Sequence, residues 1–132
     1  MKNFKADFTR IVEKAKGRVD IVVQKATMYI FSSVILRTPV LTGRARGNWQ
    51  CAAYDIPQGY NDQIQDKSGS VAIRAMTGVA GTAKAGGIVY LVNNLPYAQR
   101  LEYGYSQRQA PNGMVRITVA EFERWLEKAA RY

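Results

Sequence analysis

Ile21-Val-Val-Gln-Lys-Ala-Thr-Met-Tyr-Ile-Phe-Ser-Ser-Val-Ile-Leu36 is the stretch on which the fold turns. It is apolar on more than one face, and a helix that is apolar nearly all round is buried. The segment is therefore expected to form the core of the domain. Phe4, Phe8, Ile11, Ala15, Val19, Val22, Ala26, Ile30 and Val34 fall in steps of three and four, so the helical period runs from Asn3 to Arg37. Asn3 suits the N-cap. Gly17 is the weak point, at about 1 kcal/mol against Ala. Unbroken, such a helix would span roughly 50 Å, more than the diameter of a small domain. Residues 1–18, basic and sparsely apolar (Lys5, Arg10, Lys14, Lys16, Arg18), are therefore expected as a projecting helical arm.

Working outward, Thr38-Pro39 ends the helix, because the residue before proline disfavours the α region. Thr42-Gly43 reads as a turn. Gly47–Tyr54 reads as a strand, with Trp49, Cys51 and Ala53 on one side, and Asp55–Ser70 as an exposed polar loop. Ser70–Lys84 is ambiguous: Val71, Ala72, Ala75, Met76 and Val79 have helical spacing with Ser68 or Ser70 as cap, yet Gly78 and Gly81 weaken it. Ile88–Val92 is an apolar strand bounded by Gly86-Gly87 and Asn93-Asn94. Pro96 suits the first helical position and Asn94 the cap of a short helix through Tyr103, stopped by Gly104. From about Gly113, Val115, Val119, Phe122, Leu126 and Ala129 form a helical stripe towards Arg131. The alternation of Val115–Val119 and a capping box of Thr118 with Glu121 leave open a start at Val119. The sum is one α+β domain over residues 1–132: a long N-terminal helix and a C-terminal helix packed on a small antiparallel sheet. A sheet of two or three strands is marginal alone, and its exposed edge suits pairing with a neighbouring subunit.

The composition is that of a globular chain, with 47% apolar and 22% charged residues among 132. The net charge of +9 is uneven. Residues 1–50 carry ten Lys/Arg against three Asp/Glu, and residues 51–92 three of each. That asymmetry points to a negatively charged partner, either nucleic acid or an acidic protein surface, unless it is simply a solvated helix face. Cys51 is the lone cysteine, so no intrachain disulfide forms; between Trp49 and Ala52-Ala53 it reads as a small apolar residue. Met1–Lys16 is charged throughout and does not resemble a signal peptide. The longest apolar run considered as a membrane span, Met28–Leu36, is too short for one.

The residues for catalysis are missing. There is no histidine, which removes the commonest general base and metal ligand. Gly78-Val-Ala-Gly81-Thr-Ala-Lys84-Ala-Gly86-Gly87 invites a phosphate-loop reading but lacks both Gly-Lys-Ser/Thr and Gly-x-Gly-x-x-Gly after a strand. No Gly-x-Ser-x-Gly turn is present. No enzymatic role, cofactor, metal or small-molecule substrate is therefore expected. Arg37, Arg44 and Arg46, followed by Trp49 and Tyr54, fit a small basic nucleic-acid-binding protein, the alternative reading, although no known DNA-binding signature accompanies them. The same residue types are enriched at protein interfaces, which is the preferred reading.

Two blocks carry a family resemblance. The first is Thr38-Pro-Val-Leu-Thr-Gly-Arg-Ala-Arg-Gly-Asn-Trp49. The second is Ile88-Val-Tyr-Leu-Val-Asn-Asn-Leu-Pro-Tyr-Ala-Gln-Arg-Leu-Glu-Tyr-Gly-Tyr-Ser106, continued by Gln109-Ala-Pro-Asn-Gly-Met-Val115. Together they resemble the tail-completion and head–tail joining proteins of long-tailed bacteriophages, also called neck or minor tail proteins. The resemblance implies a structural virion protein assembled in the host cytoplasm. It would form a homo-oligomeric ring at the head–tail junction, between portal-side connector and tail-side proteins, with non-specific contact to DNA in the channel and none to membrane. At the matched positions, Arg44, Arg46, Trp49, Tyr97, Glu102 and Tyr103 would serve packing or interface contacts, and Gly43, Asn94, Pro96 and Gly104 turns and caps.

Overall fold

The chain folds around the helix that opened the sequence. The computed structural model describes Arg10, residues 19–104, 109–110 and 112–130, the last six without their side chains. The continuity of the helix back to Asn3, the arm at residues 1–18, and parts of the loop after Gly104 lie outside the described residues. Along the chain come α1 (Val19–Arg37), α2 (Arg44–Gly47), β1 (Trp49–Ala52), α3 (Ser70–Ala80), β2 (Tyr90–Asn93), α4 (Ala98–Glu102) and α5 (Val115–Ala130). The fold is α+β, and residues 19–130 as described hold five helices and a two-stranded antiparallel sheet on which the long helix packs.

The sheet pairs Trp49 with Asn93, Gln50 with Val92, Cys51 with Leu91 and Ala52 with Tyr90. Period-two alternation turns Trp49, Cys51 and Leu91 to one face. There they meet Met28 and Phe31 of α1 and Ile73 of α3 around the buried Ile35, Ala72, Met76 and Ala80. Trp49 and Leu91 also reach a second cluster, Val34, Ala110 and Met114, so they join the two halves of the core. Successive residues Val34 and Ile35 thus serve different clusters, which is why α1 has no single apolar stripe. The opposite sheet face is draped by the 55–61 loop. Gln50 donates to the Gly59 carbonyl (2.7 Å), and Asn94 donates to the carbonyls of Pro57 (2.9 Å) and Gly59 (3.1 Å).

Several sequence expectations shift, each for a physical reason. Gly47 and Asn48 leave the expected strand because Gly43 adopts φ +89° and its carbonyl accepts from the Gly47 N–H (2.9 Å), winding one helical turn. A Cβ at Gly43 would lie 2.5 Å from the Asp66 carbonyl carbon and 2.6 Å from its nitrogen, so glycine is required there. The ambiguous segment is helical up to Ala80; neither serine is its N-cap residue, although the Ser68 hydroxyl accepts from the N–H of Ser70, the first helical residue (3.2 Å). Gly69 stands at the N-cap with φ +76°, and the buried Asp66 accepts the Ala72 N–H (3.0 Å). The short helix opens at Ala98 with Tyr97 as its cap residue, so Pro96 and Asn94 do not hold the expected positions. Ala98 N–H closes a turn onto Leu95, which consumes Pro96 and Tyr97, while the Asn94 amide is drawn to the 57–59 loop. Gly104, at φ +86°, follows the end of α4 as expected.

The membrane expectation also needs correction. At 19 residues, α1 has the length and mean hydropathy of a membrane span. Its apolar character is used in the core, through Met28, Phe31, Val34 and Ile35.

The last helix begins at Val115, the earlier of the two starts weighed. Thr118 does not cap it: its hydroxyl donates to the Met114 carbonyl (2.7 Å) one turn back. The cap is Glu102, whose carboxylate accepts from the N–H groups of Met114 (2.9 Å), Val115 (2.9 Å) and Arg116 (2.8 Å). Arg116 also pairs with this carboxylate (3.3 Å) and donates to the Glu102 carbonyl. Four otherwise unpaired N–H groups open every helix, and a carboxylate there also meets the positive end of the helix dipole. Burial pushes the Glu102 pKa upward, but the three backbone N–H groups and Arg116 outweigh it and hold it below the usual carboxylate value. Its stabilisation is therefore present above the unfolded-state value near ~4.3 and lost as pH falls through the lower folded value. Glu102→Gln should cost about 1–2 kcal/mol at pH 7 in urea unfolding. The gap to the parent protein should close as pH is lowered from 5 towards 3.

Candidate functional site

The residues singled out by sequence converge on the C-terminus of α1. Thr38 is fully buried and is the meeting point. Its hydroxyl donates to the Val34 carbonyl (2.9 Å) and accepts from the Trp49 indole N–H (2.7 Å). The guanidinium of Arg46 gathers carbonyls that α1 leaves unpaired at its end. Nη2 reaches Leu36 (2.8 Å) and Thr38 (2.9 Å), and Nη1 reaches Lys67 (2.7 Å). Burial pulls the Arg46 pKa down, with Asp66 opposing. A cation at a helix C-terminus also favours the helix dipole. Arg46 and Trp49 are thus spent on closing the domain.

Arg44 sits on the other side of the same turn and is more open. Its Nε donates to the Tyr97 hydroxyl (2.7 Å), its guanidinium carbon lies 4.9 Å from the Tyr97 ring centroid, and Nη1 is 3.4 Å from Asp62. The bond to Tyr97, chiefly, raises its pKa. These groups line a cleft of about 820 Å³ together with Pro39, Val40, Leu41, Ile64 and Gln109. Gln109 holds the wall: its amide accepts from the Val40 N–H (2.7 Å) and donates to the Val40 carbonyl (3.2 Å), as a neighbouring strand would.

Of the remaining sequence candidates, Glu102 is the helix cap already described, so its partner is Arg116 rather than Arg44 or Arg46. Tyr103 is 66% exposed and lies under the Arg116 guanidinium, 4.9 Å from ring centroid to carbon. Gly43 shapes the turn that carries Arg44 and Arg46. Sequence reasoning missed Thr38 as a hub, having read it only as a helix stop. It also missed Asn48, whose amide donates to Arg44 (2.7 Å) and Asn61 (3.0 Å) and whose oxygen accepts from the Asn61 N–H (2.9 Å). The only available signal for either was a polar residue beside an apolar block. Among the described residues no group of three or more Cys, Asp or Glu comes together as a metal site. Cys51 packs against the core, and burial pushes its thiol up to about 11.

Comparison with family models, with curated proteins and with solved structures returns no match for this chain.

Two outcomes follow from this geometry. Thr38→Val keeps the shape but strands the Trp49 indole N–H, and should cost about 1–3 kcal/mol in denaturant unfolding, whereas Thr38→Ser should recover most of it. With its thiol pushed up to about 11 by burial, Cys51 holds far less thiolate at pH 8 than an ordinary cysteine. Maleimide labelling of the folded protein should therefore be at least about tenfold slower than in 6 M guanidinium; equal rates would mean the thiol is open in the folded state.

Proposed function

We propose that this protein is a structural subunit of a bacteriophage particle. It would assemble as a homo-oligomeric ring at the head–tail junction, against portal-side connector and tail-side proteins. The observation that carries the reading is the pair of blocks Thr38–Trp49 and Ile88–Ser106, whose order and residues resemble the tail-completion proteins. Physical features support it. Arg46, Trp49 and Glu102 are engaged within the domain, so of the expected interface residues Arg44, Tyr97 and Tyr103 remain for a contact between subunits. Large apolar side chains are meanwhile left in solvent, among them Leu41, Tyr54, Ile56 and Ile88. Single exposed apolar groups are ordinary, but a gathered patch marks a contact surface, and Tyr54 and Ile88 line one groove. The two-stranded sheet is likewise at the lower limit of what stands alone. On this reading the protein catalyses nothing and takes no cofactor.

The charge of +9 supports non-specific contact with DNA passing through the ring. Such contact is electrostatic, so gel retardation of a random duplex should appear at low salt and vanish by moderate salt. The same titration tests the alternative, a dedicated nucleic-acid-binding protein, which would keep affinity at moderate salt. For the structural role, an early stop codon in the gene should leave DNA-filled heads and unattached tails in lysates viewed by electron microscopy. Normal, infectious particles would sink the virion reading and make DNA binding the leading one.

A further inference from the structure

Among the described residues the most exposed large apolar side chains are Tyr54, at 92%, and Leu41, at 89%. They sit at opposite ends of the sheet. Leu41 is on the rim of the Arg44 cleft, whose walls include Ala45 and Tyr97, just beyond the Trp49–Asn93 pair. Tyr54 lies beyond the Ala52–Tyr90 pair, beside a smaller groove with Ile88 and Tyr90. Next to Tyr54, Asp55 is exposed and makes no ion pair or side-chain hydrogen bond among the described residues. Inside the cleft, Arg44 Nη2 makes no hydrogen bond among the described residues, and its contact with Asp62 is long and solvent-exposed. Such a pair is weak and easily exchanged.

One end therefore offers an apolar cleft with a cation in its wall, and the other an apolar corner with an anion that has no partner among the described residues. Resting on the ring reading above, we propose that Tyr54-Asp55 of one copy seats in the cleft of the next, the tyrosine ring against Leu41 and the Asp55 carboxylate on the Arg44 guanidinium. The occupant is a second copy of this chain because the complementary apolar and charged groups are both on it. On the ring reading each copy gives its corner to one neighbour and its cleft to another, so the proposed contact is head-to-tail and closes into a ring or runs on as a filament; the reciprocal exchange of the same two surfaces between two copies would instead be a two-fold dimer, and cross-linking tells the two apart.

The test uses charge reversal on the whole chain. Arg44→Glu and Asp55→Arg are each read by sedimentation velocity, with circular dichroism to check folding. Each alone places like charges in every contact and should raise the concentration needed for assembly at least about tenfold. Mixed one to one, they should assemble again, because every contact can then pair opposite charges if the two variants alternate. Leu41→Asp is the second variant, since Leu41 makes no interior contact that would compromise the fold; it too should block assembly. In a Cys51→Ala background, Leu41→Cys with Tyr54→Cys should give, on oxidation, a ladder of multimers on a non-reducing gel. Assembly of the parent chain that ignores the reversals, or a cross-linked product that ends at the dimer, would overturn this contact while leaving the ring reading in place. A chain that neither assembles nor cross-links overturns it as well, and the stop-codon lysate then decides the ring reading separately.

Discussion

The rest of the structure hangs on the closure of α1 at Thr38. The last carbonyls of a helix have no partner within it, and at the end of α1 they are met by a side chain rather than left to solvent. Arg46 supplies donors for three carbonyls at once, and Trp49 seals the hub by donating to the Thr38 hydroxyl. Because Arg46 reaches Lys67 as well as α1, the same guanidinium fixes the loop that leads into α3. Because Trp49 begins β1, the same hub sets where the sheet starts.

That closure constrains the backbone between the two. From Thr38 the chain must turn back within eight residues to bring Arg46 under the helix end. The Gly43 turn, pressed against Asp66, achieves it. Reversal sends Arg46 inward and Arg44 outward, two residues apart on one helical turn. A nearly identical pair of side chains thus acquires opposite employment: one is used up by the helix end, the other stands in the wall of an open cleft beside Tyr97.

A second fixed point lies on the far side of the core. Glu102 ends α4 and caps α5 across a gap in sequence, and Arg37 of α1 reaches Thr118 (3.0 Å) and Glu121 (2.7 Å) on the same helix. Gly113 allows this, since a Cβ there would run into the Glu102 carbonyl and lie 2.8 Å from its carboxylate. α5 is thereby held at both its first turn and its second by charged groups from other elements, which suits a helix whose stripe is only partly covered.

The sequence by itself determined the elements with strong local signals. The three-and-four spacing marked α1 and α5, and the apolar run between glycine and asparagine pairs marked β2, although the strand is Tyr90–Asn93 rather than Ile88–Val92 and the β-branched Ile88 and Val89 stay outside it. Thr38-Pro39 marked the end of α1, because these signals act within one or two turns of the chain. It also brought Arg44, Arg46, Trp49, Tyr97 and Glu102 into view as residues of interest, though not with their partners. Tertiary structure alone decided those partners: Trp49 with Thr38, Arg46 with three carbonyls, Glu102 with N–H groups twelve to fourteen residues on. It also added Asp66 to Ser68 at the start of α3 and moved the cap of α5 from Thr118 to Glu102. The physical reason is common to all of them. A backbone donor or acceptor left at a helix end is satisfied by whichever polar side chain the fold brings within 3 Å, and proximity in space is not written in the spacing of residues along the chain.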